Sequence, residues 1–447
     1  MIGIARQVCF MARPRDGGEV MGLESIGNGQ AALNISSVPA IESSRIPLAA
    51  RSIEADFWKP SMPGEWDRWV PAGCLGLTHR FLTCSRALHM EGGFQMLPLM
   101  LAGASGQTSG VASSYLTAVD GADLGRGGAR RAMLLVRRLF PNFLKYGVIE
   151  IGLPAGVGFP AHAGVPAADF VAALATWAMD MASQQPNCLV VVRDVAALAA
   201  PAAVATLRRL DFQPTPLQAT FIVSLPFKSF DEYKAQMRSK YRSRLTGHLK
   251  ATSSLRCEVV SDFRPLAPEL IALWRNIHDR VTRYRRLVIT QDFLEAVSAL
   301  DESRVLLLRR ADHSIAAFGL VYLDGPMLRY SITGFTREAA RVEGVYYRML
   351  YEVVRFAIDN GCSAVSLGQS TAEPKMAIGG RPVPLEAWIW HRSRFKRRAL
   401  GRVARTLMRP TATLDRSVFR ETVPVFPDPA LSEGEPDDQS LGGELAE

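Results

Sequence analysis

The 447-residue sequence has no apolar run approaching the ~18 residues that a membrane-spanning helix needs. Its Ala-rich stretch at 166–209 is interrupted by Asp180, Arg193 and Asp194. The opening stretch MIGIARQVCFMARPRDGGEV lacks the apolar core of a secretory signal, so the expectation is a soluble, cytoplasmic protein. Cysteine is scarce: six residues, at 9, 74, 84, 188, 257 and 362, with no C-x-x-C pair. That pattern argues against a disulfide framework and fits reduced thiols. The seven histidines (79, 89, 162, 248, 278, 313, 391) show neither H-x₃-H nor Cys/His spacing, so no metal is expected. P-loop and G-x-S-x-G patterns are missing too, which removes two large classes of phosphate and acyl chemistry.

What is present is ordinary for a globular chain: 48% hydrophobic and 21% charged residues. The length exceeds one compact core and predicts two domains with tails. Residues 1–60 mix Gly, Ser, Pro and charge without periodicity and read as a disordered leader. Strands are expected at Leu75–Cys84, Phe94–Leu101 and Tyr146–Ile151, with a Gly/Ser-rich loop over 104–130. Helices are expected at Ala167–Ser183 and Ala199–Leu210, and strands at Cys188–Val192 and Gln218–Leu225. Ser229-Phe-Asp-Glu232 is a capping box, opening a helix whose Tyr233, Met237, Tyr241 and Leu245 share a face. Further on, Leu270, Trp274, Ile277 and Val281 make a helical stripe with His278 at its edge, and Thr290 is an N-cap.

Charge is uneven. Arg392, Arg394, Lys396, Arg397, Arg398, Arg402, Arg405 and Arg409 follow one another without an acidic residue, and they nearly account for the net charge of +9. This segment, 391–409, reads either as contact with a membrane surface or tRNA, or as a solvated basic helix on a domain flank, which is the plainer account. Nothing points to DNA. Beyond Arg420 the chain turns acidic and Pro/Gly-rich, so 411–447 reads as a disordered tail.

The most informative stretch runs from Ser314 to Gly380. Ile315–Leu323 and Met327–Thr333 flank Asp324-Gly325-Pro326, a hairpin pattern. Tyr346, Met349, Leu350, Val353 and Ala357 then form one helical stripe that ends at Asn360-Gly361. A short apolar strand, Ala364–Leu367, and a loop with Gly, Ser, Thr and Lys follow.

Strand, strand, helix, strand in this order resembles the second half of the GNAT superfamily of N-acyltransferases. Arg341-Val-Glu-Gly344-Val-Tyr346 stands where those enzymes carry a Gln/Arg-x-x-Gly-x-Gly/Ala loop around the acyl-CoA pyrophosphate, except that Tyr346 replaces a small residue. Leu367-Gly368 and Lys375-x-x-x-Gly379-Gly380 are similar to the end of the FemAB-type branch, which lacks a well-formed CoA loop. The resemblance covers roughly residues 225–390. It implies an α/β, mixed-sheet protein with two tandem GNAT-like domains, at 61–225 and 226–410. Acyl-CoA is the implied co-substrate, and the implied acceptor is a small-molecule or cell-envelope amine. Lys375 is carried over as the cation that stabilises charge during transfer, Arg341, Gly344 and Tyr346 as the cofactor side. Gln369, Ser370, Thr371 and Arg242 are candidates for the acceptor pocket. His278, as a base, and Tyr330 complete the catalytic set, although both residue types at such places are more often packing residues. Two other functions stay open: aminoacyl transfer from tRNA to a cell-wall precursor, and a non-catalytic binder of an anionic envelope polymer or membrane.

Overall fold

The computed structural model describes residues 48–52, 62–90, 92–103, 108–124, 127–156, 161–162, 165–279, 287–342, 344–369, 371–407 and 416–431. From the N-terminus these form β1 (Leu48–Ser52), α1 (Met62–Asp67), α2 (His79–Ser85), β2 (His89–Met90), β3 (Gln95–Gly103), β4 (Thr108–Asp120) and α3 (Gly127–Val136). Then come β5 (Lys145–Ile151), β6 (Ala161–His162), α4 (Ala167–Ser183), β7 (Cys188–Val195), α5 (Pro201–Arg209), β8 (Gln213–Pro216) and β9 (Thr220–Ser224). The second half opens with α6 (Phe230–Gln236), α7 (Ser239–Ala251), β10 (Arg256–Val260), α8 (Ala267–His278), β11 (Leu287–Val288), α9 (Gln291–Val297) and β12 (Ser303–Arg309). It continues with β13 (Ile315–Asp324), β14 (Met327–Phe335), α10 (Arg337–Val342), α11 (Val345–Asp359) and β15 (Ala364–Ser366). It ends with α12 (Ala372–Ala377), β16 (Arg381–Val383), β17 (Glu386–His391) and α13 (Arg394–Leu407).

Two large sheets share one topology. The first has the order β1-β3-β4-β5-β7-β17-β8, with β6 on β4; the second has β10-β12-β13-β14-β15-β9-β16. In each, three strands form an antiparallel meander, β3-β4-β5 or β12-β13-β14. A parallel neighbour follows, β7 on β5 or β15 on β14, reached through a crossover helix, α4 or α11. Two antiparallel strands close each series. This strand-by-strand match bears out two similar α/β halves.

The halves are interlocked. β9 enters the second sheet between β15 and β16, while β17 enters the first between β7 and β8. Two strands therefore lie across the boundary expected at residue 225.

Packing follows the apolar stripes. On α11, Met349, Leu350, Val353 and Ala357 are buried against Val321, Leu328 and Val365. Burying Met349, Leu350 or Val353 contributes about 1.5–3 kcal/mol of transfer free energy each, and the Ala357 methyl about 0.8. The opposite face of the second sheet, carrying Phe318, Leu320 and Ile332, is covered by Leu270 and Leu273 of α8 and by Phe293 of α9. In the first sheet, Phe170, Leu174 and Ala178 of α4 pack with Ile149, Val190 and Trp388.

A buried ionic knot fixes the hairpin to its surroundings. Arg329 pairs with Asp324, donates to Asp428 at 2.9 and 3.1 Å and to the Gly73 carbonyl at 2.6 Å, while Leu75 N–H donates to Asp324 at 2.9 Å. Removing one member would strand buried charge.

Several sequence expectations need correcting. Leu75–Cys84 is a 3₁₀ turn followed by α2, because Thr78 caps a helix by accepting from Phe81 N–H. The expected loop at 104–130 contains β4, whose Ser114 hydroxyl donates to Leu97 O at 2.6 Å; buried small residues imitate loop composition. The capping box forms, with Glu232 N–H on Ser229 Oγ at 3.1 Å, but the helix it opens is two helices. The chain breaks at Met237 because Arg238 N–H donates to Val418 O and Arg420 N–H to Gln236 O, both at 2.9 Å. Part of the expected tail is thus an ordered strap: Val418 and Phe419 are buried, the latter against Phe227 and Tyr233. Leu48–Ser52, expected in the leader, is an edge strand on β3. The rest of 1–60 outside Leu48–Ser52, and residues 408–415 and 432–447, lie outside the described residues.

Phe419→Ala should leave a cavity beneath the strap and cost about 3–5 kcal/mol, read as a lower urea midpoint with an unchanged slope.

Candidate active site

β14 and β15 pair in parallel through only three positions: Met327 with Ala364, Leu328 with Val365, and Arg329 with Ser366. β14 continues along β13 to Phe335, whereas the chain after Ser366 turns away with β9, Leu367 N–H donating to Phe221 O at 2.8 Å. The backbone edge from Tyr330 to Phe335 is therefore splayed from its parallel neighbour. The first half lacks this opening: β5 and β7 stay paired from Gly147–Cys188 to Ile151–Val192, where β5 ends.

Lys375 lies at the base of the splay. Its side chain is 3% exposed, and Nζ donates to the carbonyls of Gly368 (3.0 Å) and Gln369. The Phe221 ring lies 5.7 Å from the charge. Burial pushes its pKa down to about 7, so both protonation states are accessible near neutrality. The glycine pair after it has a steric cause. A Cβ at Gly380 would sit 2.6 Å from Lys375 O, and one at Gly379 would meet the Phe419 ring at 2.6 Å.

Tyr346, in the first turn of α11, is hydrogen-bonded through its hydroxyl to the Thr371 side chain, joining the start of that helix to the loop after β15. Burial pushes that phenol up to about 12, the Thr371 bond opposing it. Tyr330 is buried in the same core, its ring over Gly319 beside Met349, and burial and Tyr346 both raise its pKa. Next door, Tyr347 OH donates to Glu373 at 2.9 Å, and Arg416 reaches the same carboxylate at 3.1 Å. His248 stacks on Tyr347 at 4.3 Å, and burial and then Arg244 lower its pKa. Gly344 caps α11 at φ +62°, a left-handed geometry that suits a residue without Cβ and brings His248 close to the helix start.

Tyr330, Tyr346 and Thr371 are accordingly linked to one another, and Lys375 to Gln369, around the place where β14–β15 pairing ends, with Gly344 two residues before Tyr346. Arg341 lies on α10 and is exposed. Arg242 of α7 donates to the Ala235 and Met237 carbonyls at 3.4 Å each, tying off the end of α6. His278 stacks on Trp274 at 4.2 Å on α8, which covers the sheet face opposite α11. Ser370 lies outside the described residues.

One set of residues escaped the sequence reading. Gln369 Nε2 donates to Asp194 Oδ1 at 3.0 Å, joining the end of β15 to the end of β7. Asp194 accepts from Arg193 Nε at 2.8 Å; Arg193 donates to Tyr115 OH at 2.9 Å, and Tyr115 to Glu150 at 2.6 Å. Burial raises the Asp194 pKa while Arg193 and Gln369 pull it down. The available signal was a charged pair, Arg193-Asp194, directly after the apolar run Cys188–Val192.

Among the described residues no group of three or more His, Cys, Asp or Glu is placed to hold a metal ion, and no helix is long and apolar enough to cross a membrane.

A family model described as an Acetyltransferase (GNAT) domain matches residues 235–376, the span from the end of α6 to Met376 beside Lys375. No curated protein matches the sequence. Among solved structures, FemX is similar at 14% identity and a TM-score of 0.48, over 72% of this chain and 95% of that one. L-PGS from Bacillus licheniformis is similar at 10% identity and 0.41, over 71% and 89%. A GCN5-related N-acetyltransferase from Sphaerobacter thermophilus is similar at 12% identity and 0.38, over 77% and 95%. TM-scores of this size carry no inference about chemistry.

Asp194→Ala leaves Arg193 without its closest carboxylate and should cost about 3 kcal/mol, because Arg193 is only partly solvated. Gln369→Ala should cost about 1 kcal/mol. If the two act as one link, the double variant loses about 0.5–1 kcal/mol less than the sum in denaturant unfolding.

Proposed function

We propose that this chain, which matches an acetyltransferase (GNAT) domain model over residues 235–376, is a GNAT acyltransferase that moves an acyl group from acyl-CoA to an amine in the β14–β15 splay. The observation that carries this reading is the pairing that stops at Arg329 and Ser366 with Lys375 buried at its base. A thioester carbonyl laid along the unpaired Tyr330–Phe335 edge would face Lys375. An ammonium has three donors and two backbone carbonyls take two, so one remains for the oxygen that becomes negative as the amine attacks. The new C–N bond forms and the C–S bond breaks. Tyr346, kept protonated by burial, gives its proton to the departing thiolate and is reprotonated by the ammonium formed on the acceptor. The open N–H groups that follow Gly344 at the start of α11 are suited to the donor pyrophosphate.

Aminoacyl-tRNA is the second donor to weigh. The observation in its favour is Tyr346 itself, a large side chain where the CoA loop of the superfamily has a small residue. In both cases the reacting carbonyl would meet Lys375, and the amine acceptor is a small molecule or cell-envelope precursor.

Acetyl-CoA should raise the melting temperature, with stabilisation of about 2.7 kcal/mol at a hundred times Kd. If tRNA stabilises instead, with steep loss on adding salt, the second donor is correct. With the stabilising donor and a panel of amines, Lys375→Ala should lower kcat about 10²–10³-fold and Tyr346→Phe about 10–100-fold. An unchanged kcat in Lys375→Ala removes the proposed role.

Titration gives an independent check. The Lys375 pKa is depressed from 10.5 to about 7, so between those values the unfolded chain binds the additional proton and stability rises with pH. Replacing Lys375 by Met should abolish that rise, on the order of a few kcal/mol, in urea unfolding followed from pH 7 to 10.

A further inference from the structure

The surface at the opposite end of the first sheet from the splay combines two features that rarely coincide on a soluble face. Leu139 and Phe140, following α3, are 80% and 64% exposed, and Leu135 and Phe143 beside them are exposed too. Next to them begins α13, on which Phe395 is 83% exposed and Val403 is also exposed. The two elements adjoin. Lys396 Nζ donates to Asn187 Oδ1 at 2.7 Å and, with Phe140, Phe143 and Tyr146, lines a shallow cavity of about 450 Å³. Cations stand among these apolar side chains: Arg131 on α3, Arg138 just after it and Lys145 at the start of β5, with Arg394, Arg398 and Arg405 on α13, all exposed. No acidic residue occurs in the sequence at 124–149 or 387–414. The nearby carboxylates are already engaged, Asp120 by Arg137, and Asp211 by Arg397 and, at 3.8 Å, Arg394.

We infer that this face docks on an anionic lipid bilayer, with the apolar side chains entering the headgroup boundary and the cations on lipid phosphates. A solvated basic helix has no use for a phenylalanine that is 83% exposed, and α13 buries Arg397 against Trp390 while leaving Phe395 outside. Amphipathic elements that mix exposed Phe and Leu with Lys and Arg bind membrane surfaces in this way, each cation adding to the attraction. A second copy of the chain fits less well, because a self-complementary contact would bring the same cations together. A nucleic acid would use the cations but leave Leu135, Leu139 and Val403 in water.

The docked orientation leaves the splay accessible. Lys396 is bonded beside the start of β7, and Asp194, which holds Gln369, is near its end, six residues and about 20 Å away. The bilayer would position the enzyme without covering its slot.

Co-sedimentation of the full chain with vesicles tests this without any transferase activity, so its failure is distinct from failure of the acyl-transfer reading. Vesicles of phosphatidylcholine with about 30 mol% phosphatidylglycerol should bind at least about tenfold more protein than phosphatidylcholine alone, and high salt should reverse it. Arg398→Gln with Arg405→Gln should lower partitioning roughly fivefold per cation removed. Leu139→Ser with Phe140→Ser should lower it too, leaving the melting temperature unchanged because both side chains are exposed. Equal binding to both vesicle types, or variants that bind like the parent, overturns the inference. So does binding seen only after removal of residues 432–447, which would assign the face to the acidic tail. Loss of a dimer in Leu139→Ser with Phe140→Ser, or tRNA displacing the vesicles from the parent, overturns it as well.

Discussion

Each half of this protein contains a strand that belongs to the other. β9 completes the second sheet and β17 the first, in topologically equivalent places between the parallel strand and the last strand. Both exchanged strands are hydrogen-bonded on two sides, so pulling the halves apart would break four strand pairings and bare the edges on both sides of each. The connection from Ser224 to α6 and the one from Val383 to Glu386 are short, which leaves the sheets little freedom to turn against one another. The ends of β7 and β15 are therefore held facing each other. The Asp194–Gln369 contact, with the ionic chain behind it, is a product of that constraint.

The same topology used twice gives different strand ends because the two parallel pairs stop at different points. In the first half the pair remains zipped to the end of β5, and Arg193, the next residue of β7, is tied back to Tyr115 and through it to Glu150 by charge-assisted hydrogen bonds. In the second half pairing ends after three positions and Lys375 occupies the base. One half stays paired throughout and the other parts after three positions. The first half reaches the second through Gln369, whose side chain is held by Asp194 and whose carbonyl holds Lys375.

Much of the second half was legible in the sequence because its signals are local and strong. The Asp324-Gly325-Pro326 turn, the α11 stripe and the Asn360-Gly361 end each have a short-range physical cause, and each appears where expected. The first half was less legible. β4 is built from Thr, Ser, Gly and Ala that are buried by neighbours distant in sequence, so its composition mimics a loop. α6 and α7 read as one helix because nothing local marks the break; the cause is a strap 180 residues away, through Phe419 O on Arg238. For the site, the motif around Lys375 was visible, but Asp194 was not. A carboxylate acquires that role only when a strand exchange carries its strand end to another half of the chain. Arg242 and His278, also expected at the site, lie at a helix end and against Trp274.

Burial bears on both parts of the role proposed for Lys375. A solvated ammonium would spend its donors on water and gain little by facing a developing oxyanion, whereas here two carbonyls fix its direction. The cost is a pKa drawn towards 7, which would leave the group neutral in a drier site. The carbonyls of Gly368 and Gln369 offset part of that cost by accepting from the charged form. The close fit of Gly380 to the Lys375 carbonyl and of Gly379 to Phe419 keeps the short helix pressed in place. Strap, glycine pair and lysine thus form one mechanical unit, and the C-terminal strap, which looked dispensable by composition, packs through Phe419 against Gly379, four residues after the buried lysine.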